Sequence, residues 1–233
     1  MVKLVLTEDE TMLADSARGF LDKSAPVKAF RDLRDAGQTH DAKMWKEMAA
    51  MGWAGVLVPE SAGGVDMGHA AAGILAQEMG KTLAVSPFLS TAVIAATALR
   101  HVSDARAEAA LAKIASGDAT YALAVDETSK FNPDATAMTA TAEGNGFRLT
   151  GKKTFVVDGA LADRLLVLAK TDNGLTLFDI PADQSELMEG SHCQGITPRG
   201  KNGPSAPQGL RHGLNDYTSW FAGDGDMEGD YFG

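Results

Sequence analysis

The fold is decided by the segment that reads Gly151-Lys152-Lys153-Thr154-Phe155-Val156-Val157-Asp158-Gly159-Ala160-Leu161-Ala162-Asp163-Arg164-Leu165-Leu166-Val167-Leu168-Ala169. A glycine turn leads into a short apolar run, which is followed by an Asp-Gly pair and a second apolar run. Two runs of this length, separated by a turn signal, predict a hairpin-like pair of strands. Because the preceding half of the chain shows helical periodicity, this segment places a β-domain after a helical one.

The overall composition excludes several classes of protein. The chain has 233 residues and a net charge of −10, which argues against a nucleic-acid surface because phosphate binding requires clustered Lys and Arg. The single cysteine, Cys193, cannot form an intrachain disulfide, and the five histidines show no metal-ligand spacing. No apolar run has the length of a membrane span. We therefore expect a cytoplasmic protein with no membrane span and no metal site.

The first half of the chain predicts an all-α domain over residues 1–117. Thr7 and Glu10 form a capping-box pattern in front of a helix over residues 8–23. Further helices are predicted from apolar periodicity and from Pro and Gly punctuation. They cover residues 27–35, 41–50, 66–79, 86–101 and 103–117.

The periodicity changes to that of strands after residue 120. Short strands are predicted over residues 121–125, 135–142, 147–150, 154–157, 164–170 and 175–180. Asn145 and Gly146 are typical of a hairpin turn. The fold class is therefore α+β, with a small antiparallel β-sandwich or barrel domain over residues 118–182.

Residues 183–233 differ in composition from the rest of the chain. Residues 184–233 contain ten of the 25 glycines and only six Ile, Leu, Val or Phe residues. Such a segment buries too little apolar surface to offset the entropy of ordering it, so we expect an irregular tail. Two origins stay open: a reading-frame shift near residues 183–190, or a natural fragment that depends on a partner.

Two motifs resemble the acyl-CoA dehydrogenase family. The passage from Met51 to Gly64, which contains Gly52-Trp53 and Pro59-Glu60 before Gly63-Gly64, is similar to the family's Leu-Gly-Trp…Pro-Glu…Gly-Gly passage. The segment of residues 151–169 resembles the family's flavin-facing strand region. The resemblance covers roughly residues 5–182, and it implies the family's N-terminal helical domain and part of its middle β-domain.

The resemblance implies an FAD site on the β-domain. Val125-Asp126-Glu127-Thr128 stands where the family often reads Thr-Glu-Pro, and Phe155-Val156-Val157 stands where it typically reads Trp-Ile-Thr. Backbone amides and a hydroxyl at these places bond the polar edge of the flavin and tune its electron affinity. The cofactor-binding residues implied in this way are Val125, Asp126, Glu127, Thr128, Phe155 and Val157.

Two departures from the family pattern bear on that site. Val157 has no hydroxyl, and Asp126 is an acceptor when it is ionised, so neither side chain can donate as Thr would. The stretch from Glu127 to Phe131, and the Asp158-Gly159 pair, resemble a divergent branch of the family that acts as the small subunit beside a larger one.

The family reaction is FAD-dependent α,β-dehydrogenation of an acyl-CoA thioester. Its carboxylate base lies in a C-terminal helical domain, and no catalytic residue is assigned in this chain. We therefore expect little or no activity from the chain alone. We also expect it to form a homo- or hetero-oligomer with a full-length acyl-CoA dehydrogenase subunit. The alternative is a non-catalytic small subunit or packing partner.

Plainer interpretations exist for each of these residues. On side-chain pattern alone, Phe155 and Val157 suit the core of a strand. Asp126 and Glu127 would be loop acids, and Trp53 a packing aromatic. The Gly63-Gly64 pair predicts a backbone turn, because no strand-GxGxxG pattern surrounds it.

Overall fold

A computed structural model describes residues 6–143, 146–182 and 230–232 of the chain. The described residues belong to two compact units. The first contains residues up to His101 together with Glu108–Asp118, and the second contains Val102–Ala107 and the chain from Ala119 onward. The first unit is helical and the second contains a sheet, as the α+β prediction requires.

The helices follow the predicted segments closely. They are α1 (Glu8–Ser24), α2 (Val27–Asp35), α3 (Ala42–Ala50), α4 (Gly68–Thr82), α5 (Ala96–Leu99) and α6 (Ala105–Ala115). The predicted helix over residues 86–101 differs in kind, because Phe88–Ala95 form a π-helical stretch that continues into α5.

Local capping explains where the first helices begin. The Thr7 hydroxyl accepts from the Glu10 amide at 3.2 Å, and the Glu10 carboxylate accepts from the Thr7 amide at 2.7 Å. Asp41 lies just outside α3 and accepts from the amides of Lys43 and Met44. These bonds satisfy amides that have no partner within their own helix.

Apolar packing holds the helical unit together. Helix α1 packs against α4. Trp53 is 3% exposed and meets Phe20 edge-to-face with ring centroids 5.4 Å apart. The interpretation of Trp53 as a packing residue is therefore confirmed.

The Gly63-Gly64 pair is a turn, as predicted. Gly63 has φ +80° and ends a 3-10 turn over Glu60–Ala62. A Cβ on Gly64 would lie 1.9 Å from the Val58 carbonyl oxygen, so no larger residue fits without moving the backbone.

The second unit contains a six-stranded sheet. Its strands are β1 (Tyr121–Ala124), β2 (Thr139–Glu143), β3 (Gly146–Thr150), β4 (Arg164–Thr171), β5 (Gly174–Pro181) and β6 (Asp230–Phe232). The strand order is β3-β2-β4-β5-β6, and β1 pairs with β4 beside β2. One face buries a core that includes Ala122, Met138, Val156, Leu165 and Phe178.

The sheet is mixed, so the prediction of purely antiparallel pairing is wrong for two contacts. β2–β3, β4–β5 and β5–β6 are antiparallel, but β1 runs parallel to β4, and β2 meets β4 in parallel at Thr139 and Lys170. A parallel pair needs a long crossover connection. The chain between β1 and β4, which contains the β2–β3 pair, provides it.

The predicted strand over residues 154–157 is also wrong. These residues make no strand, and residues 157–161 form turns before β4 begins. Phe155 and Asp158 both have φ +55°. A residue in the left-handed region cannot continue an extended ladder, which explains why the segment stays unpaired.

Several predictions fall on residues outside the described ranges. They concern Asn145 in the hairpin turn, Cys193, and the irregular tail over residues 183–233. Within that tail the structure describes only Asp230–Phe232, which pair with β5 as β6 and are therefore regular.

Candidate functional site

The two segments expected to face a flavin lie side by side in the second unit. Residues 125–128 follow β1, and residues 153–157 precede the turn into β4. The Thr154 amide donates to the Asp126 carbonyl oxygen at 2.6 Å, and the Thr154 hydroxyl donates to the same oxygen at 3.4 Å. The two parts of the sequence that carry the six predicted site residues are thus joined at Thr154 and Asp126.

Glu127 is held more firmly than a solvated loop acid. Its Oε2 accepts from the Ala137 amide at 2.7 Å, and its Oε1 accepts from the Met138 amide at 2.9 Å. Burial would raise the pKa of Glu127, but bonds from Lys153 and these two amides outweigh it and hold that pKa below its usual range. Glu127 is therefore an ionised anchor for the chain that leads into β2.

Lys153 is the residue that sequence reasoning missed. Its side chain is fully buried, and Nζ donates to Glu127 Oε1 at 2.8 Å and to the Val125 carbonyl oxygen at 3.0 Å. Burial lowers the pKa of Lys153, while the adjacent Glu127 opposes that shift. No local pattern marks Lys153 as buried, because Lys is almost always exposed unless it is paired.

Phe155 and Val156 point in opposite directions. Phe155 is 42% exposed, whereas Val156 is 5% exposed and belongs to the core of the sheet. The interpretation of Phe155 as a strand-core residue is therefore wrong. Val157 is half-buried. The segment presents one aromatic face outward while Val156 fixes it to the core.

Backbone N–H groups are available at the same place. Within the part of the chain that the structure describes, the amides of Phe155 and Val157 donate to no other group. Thr128 is exposed, and its hydroxyl is engaged with Lys130, donating to the carbonyl oxygen and accepting from the amide at 3.2 Å each. The site therefore offers main-chain donors rather than a free hydroxyl.

Asp126 carries a buried oxygen. Its Oδ1 has no hydrogen-bond partner among the described residues. A buried acceptor without a partner costs free energy, and a ligand could reach this enclosed oxygen only if the surrounding chain moved. Asp126 lies between the anchored residues Val125 and Glu127, and its Oδ1 is enclosed by the protein.

The described ranges contain no group of three or more His, Cys, Asp or Glu side chains placed to hold a metal ion. Among the helices of those ranges, none combines the length and hydrophobicity that crossing a bilayer requires.

Comparison with known proteins identifies the family. The sequence profile of the acyl-CoA dehydrogenase N-terminal domain matches residues 7–118. The chain is also 30% identical over 195 residues to the acyl-CoA dehydrogenase FadE27 of Mycobacterium tuberculosis. Residues 7–118 of the chain belong to the N-terminal domain of the acyl-CoA dehydrogenase family. The match to FadE27 covers 82% of this chain and 51% of the relative, so this acyl-CoA dehydrogenase sequence spans about half the length of the curated relatives it matches.

Solved structures agree with that assignment. The chain superposes with a TM-score of 0.70 on a chain of the ChsE4-ChsE5 complex from Mycobacterium tuberculosis, at 27% identity, covering 81% of this chain and 51% of that one. An acyl-CoA dehydrogenase complexed with FAD from Bacillus anthracis shares the fold, with a TM-score of 0.69 at 20% identity, over 84% of this chain and 36% of that one.

The residues present fit a flavin. The isoalloxazine ring has a flat apolar face, carbonyl acceptors and an N–H donor. The exposed Phe155 ring matches the first of these features, and the amides of Phe155 and Val157, which have no acceptor among the described residues, match the second. The missing complement is a side-chain hydroxyl, since Val157 has none and that of Thr128 is engaged with Lys130.

Proposed function

We propose that this acyl-CoA dehydrogenase chain is the part that binds FAD, through Val125, Asp126, Glu127, Thr128, Phe155 and Val157. Phe155 would cover the ring, and the amides of Phe155, Val157 and Asp126 would donate to its polar edge. Val125 and Glu127 would contribute through the backbone, since Lys153 occupies the Val125 carbonyl and the Glu127 carboxylate. The flavin would accept the hydride of the family's reaction.

One observation carries this proposal. The two segments that the resemblance assigned to the flavin are 25 or more residues apart in sequence, yet the 2.6 Å bond from Thr154 to Asp126 holds them together. Next to that bond lie the amides of Phe155 and Val157, which have no acceptor among the described residues. Strained backbone at Phe155 supports the same location, because positive φ in a bulky residue persists only where the surroundings demand it.

The proposed reaction is the α,β-dehydrogenation of an acyl-CoA thioester, with the chain weak or inactive by itself. The reaction needs a carboxylate near the substrate α-carbon. No residue of the described ranges is assigned that role. We therefore propose that the active protein is an oligomer with a full-length acyl-CoA dehydrogenase subunit, which would supply the base. We propose the cytoplasm as its location.

A second candidate function is that of a non-catalytic subunit. Val157 and Asp126 stand where the family typically has hydroxyls, which favours a diverged site. The likeness to a chain of the ChsE4-ChsE5 complex supports assembly with a different subunit. In this case the helical unit would serve packing, and FAD would bind weakly or not at all.

Absorbance spectroscopy distinguishes the two functions. The purified chain is mixed with FAD, freed of unbound cofactor on a desalting column, and scanned over the visible range. A retained flavin spectrum supports the FAD-binding proposal, and a colourless protein contradicts it. If the flavin bleaches when an acyl-CoA is added without oxygen, the chain is active alone, contrary to the expectation of weak activity.

The oligomer is tested separately. The chain is co-expressed with a tagged full-length acyl-CoA dehydrogenase from the same genome, and the mass of the purified species is measured by light scattering. A complex that contains both chains supports the hetero-oligomer. A chain that elutes alone at every concentration, with no partner retained, contradicts it.

A further inference from the structure

A buried cation lies where the two flavin-facing segments meet. We propose that Lys153 is a positioning residue for the candidate site: paired with Glu127, it sets the distance between the segments and the orientation of Phe155. This inference rests on the proposed FAD site for its functional meaning. The clamp itself, defined as Lys153 and Glu127 with their shared hydrogen bonds, can be tested without the cofactor.

The clamp fixes the chain on both sides of Asp126. Lys153 Nζ donates to the carbonyl oxygen of Val125 and to the carboxylate of Glu127, one residue before and one residue after Asp126. The next residue, Thr154, donates to the carbonyl oxygen of Asp126. Lys153 and Thr154 together therefore bond three consecutive residues, Val125, Asp126 and Glu127. The backbone between β1 and the Glu127 side chain is thereby left with little freedom.

The clamp also reaches the entrance to β2. The Glu127 carboxylate accepts from the amides of Ala137 and Met138 at 2.7 and 2.9 Å. Met138 is 1% exposed and packs in the core of the sheet. The Lys153 ammonium is thus connected through one carboxylate to a rigid part of the molecule, which makes it a fixed point and not a mobile surface charge.

Energetics suggest that the clamp serves geometry more than stability. Desolvating two charges costs about as much as their attraction returns, so a buried ion pair is seldom more stabilising than apolar side chains of the same volume. A buried pair does, however, accept only one arrangement of its hydrogen bonds. Removing one partner leaves the other charge buried and uncompensated, which loosens that arrangement.

Phe155 depends on this anchoring. It lies two residues after Lys153 and has φ +55°, a conformation that is unfavourable for a bulky side chain. Lys153 and Thr154 are both buried on one side of it, and Val156 is buried on the other. With the Lys153 end released, the backbone can relax toward an extended conformation, and the Phe155 ring leaves its outward position.

Hydrogen exchange with mass spectrometry tests the clamp on the full chain. Lys153→Met removes the charge while keeping the length of the side chain, and Glu127→Gln removes the charge of the partner. We expect exchange of the amides that the clamp and its neighbour hold, those of Thr154, Ala137 and Met138, to accelerate about ten- to a hundred-fold, as for losing a hydrogen bond to a charged group, while β4 and β5 keep their protection. Lys170→Met, which changes an exposed lysine in the same unit, should leave every peptide unchanged.

The affinity for FAD is measured in a parallel experiment. Titration with FAD, followed by flavin fluorescence, should show affinity reduced about ten-fold or more in Lys153→Met and unchanged in Lys170→Met. If the wild-type chain does not bind FAD, the proposed function fails, and hydrogen exchange still decides whether the clamp positions the two segments.

Two results would overturn the clamp. One is unchanged exchange of the Thr154, Ala137 and Met138 amides in a folded Lys153→Met variant. The other is a uniform rise in exchange over the whole sheet, which would make Lys153 a general stability residue. Should Lys153→Met fail to fold, Glu127→Gln decides by the same criteria, because its single acceptor oxygen cannot replace the two oxygens that serve Lys153, Ala137 and Met138.

Discussion

Arg164 donates a 2.7 Å hydrogen bond from Nε to Oδ1 of Asp179, whose side chain is only 4% exposed. The two residues are on adjacent strands but not directly opposite, since Asp179 faces Leu166 in the register of β4 and β5. The Tyr121 hydroxyl donates to the other oxygen of Asp179 at 3.5 Å. One carboxylate thus connects β1, β4 and β5.

Replacing that carboxylate should destabilise the protein strongly. Asp179→Ala leaves Arg164 without its buried partner, and we expect a loss of about 3 kcal/mol in the free energy of unfolding, at the lower end for buried pairs because Arg164 is partly exposed. Urea unfolding measures it. Glu143→Ala is the control, because Glu143 pairs with Arg148 on the surface and should cost under about 1 kcal/mol. Equal losses in the two variants would contradict a special role for Asp179.

Gly64 should tolerate no side chain. In Gly64→Ala the new Cβ meets the Val58 carbonyl oxygen, and the backbone must move, at an expected cost of about 1–3 kcal/mol or more. The control is Gly19→Ala in α1, where a Cβ meets nothing within 4 Å and should raise stability by about 0.5–1 kcal/mol. Thermal unfolding of both variants checks the opposite signs. A Gly64→Ala variant as stable as the wild type would show that the Gly63-Gly64 turn is looser than described.

The elements predicted best are those with local signals. α1 begins at the predicted residue and α2 has the predicted bounds, because the Thr7 cap and the Pro26 break act within a few residues. The strand over residues 154–157 is predicted from a short apolar run between turn signals, and that run is only partly buried, since Phe155 is exposed and Val156 is in the core. Its backbone follows a different course because Lys153 and Thr154 bond residues 26 to 28 positions away. Such contacts leave no trace in a local pattern.

Only some residues of the candidate site could be predicted from the sequence. The resemblance indicated Glu127 and Phe155, and the structure holds their segments together. It could not indicate Lys153, because a lysine next to another lysine is typical of a surface turn. The parallel pairing of β1 with β4 was missed for a related reason, since its register is set by a crossover and not by adjacent turn residues.

Acid should weaken the helical unit through Glu78. This carboxylate is 3% exposed and accepts hydrogen bonds from Lys81 and Arg18. The hydrogen bond from Lys81 is the largest cause that holds the pKa of Glu78 below its ordinary value of 4.5. The bonds from Arg18 act in the same direction, and burial opposes them. Because the folded pKa is the lower one, this stabilisation is complete above pH 4.5 and is lost as the pH falls through the folded pKa.

The measurement is the free energy of unfolding as a function of pH. We expect the wild type to lose stability on acidification below about pH 4.5, and Glu78→Gln to lose less over the same range while being less stable at neutral pH. Glu47→Gln, which changes an exposed glutamate 3.8 Å from Lys43, is the matched control and should follow the wild type. Parallel curves for wild type and Glu78→Gln would show that other carboxylates carry the acid sensitivity.

Restoring a hydroxyl at position 157 should strengthen cofactor binding if the proposed site is correct. The family typically has Thr where this chain has Val157, and one added neutral hydrogen bond contributes about 0.5–1.5 kcal/mol, or roughly two- to ten-fold in affinity. We therefore expect Val157→Thr to bind FAD more tightly by that factor in a fluorescence titration. Val156→Thr is the control, because Val156 is 5% exposed in the core and its hydroxyl would be buried. That variant should lower the unfolding temperature without tightening binding. If Val157→Thr binds FAD no more tightly than the wild type while remaining as stable, then Val157 does not face the flavin, and the proposed site must be moved away from this segment.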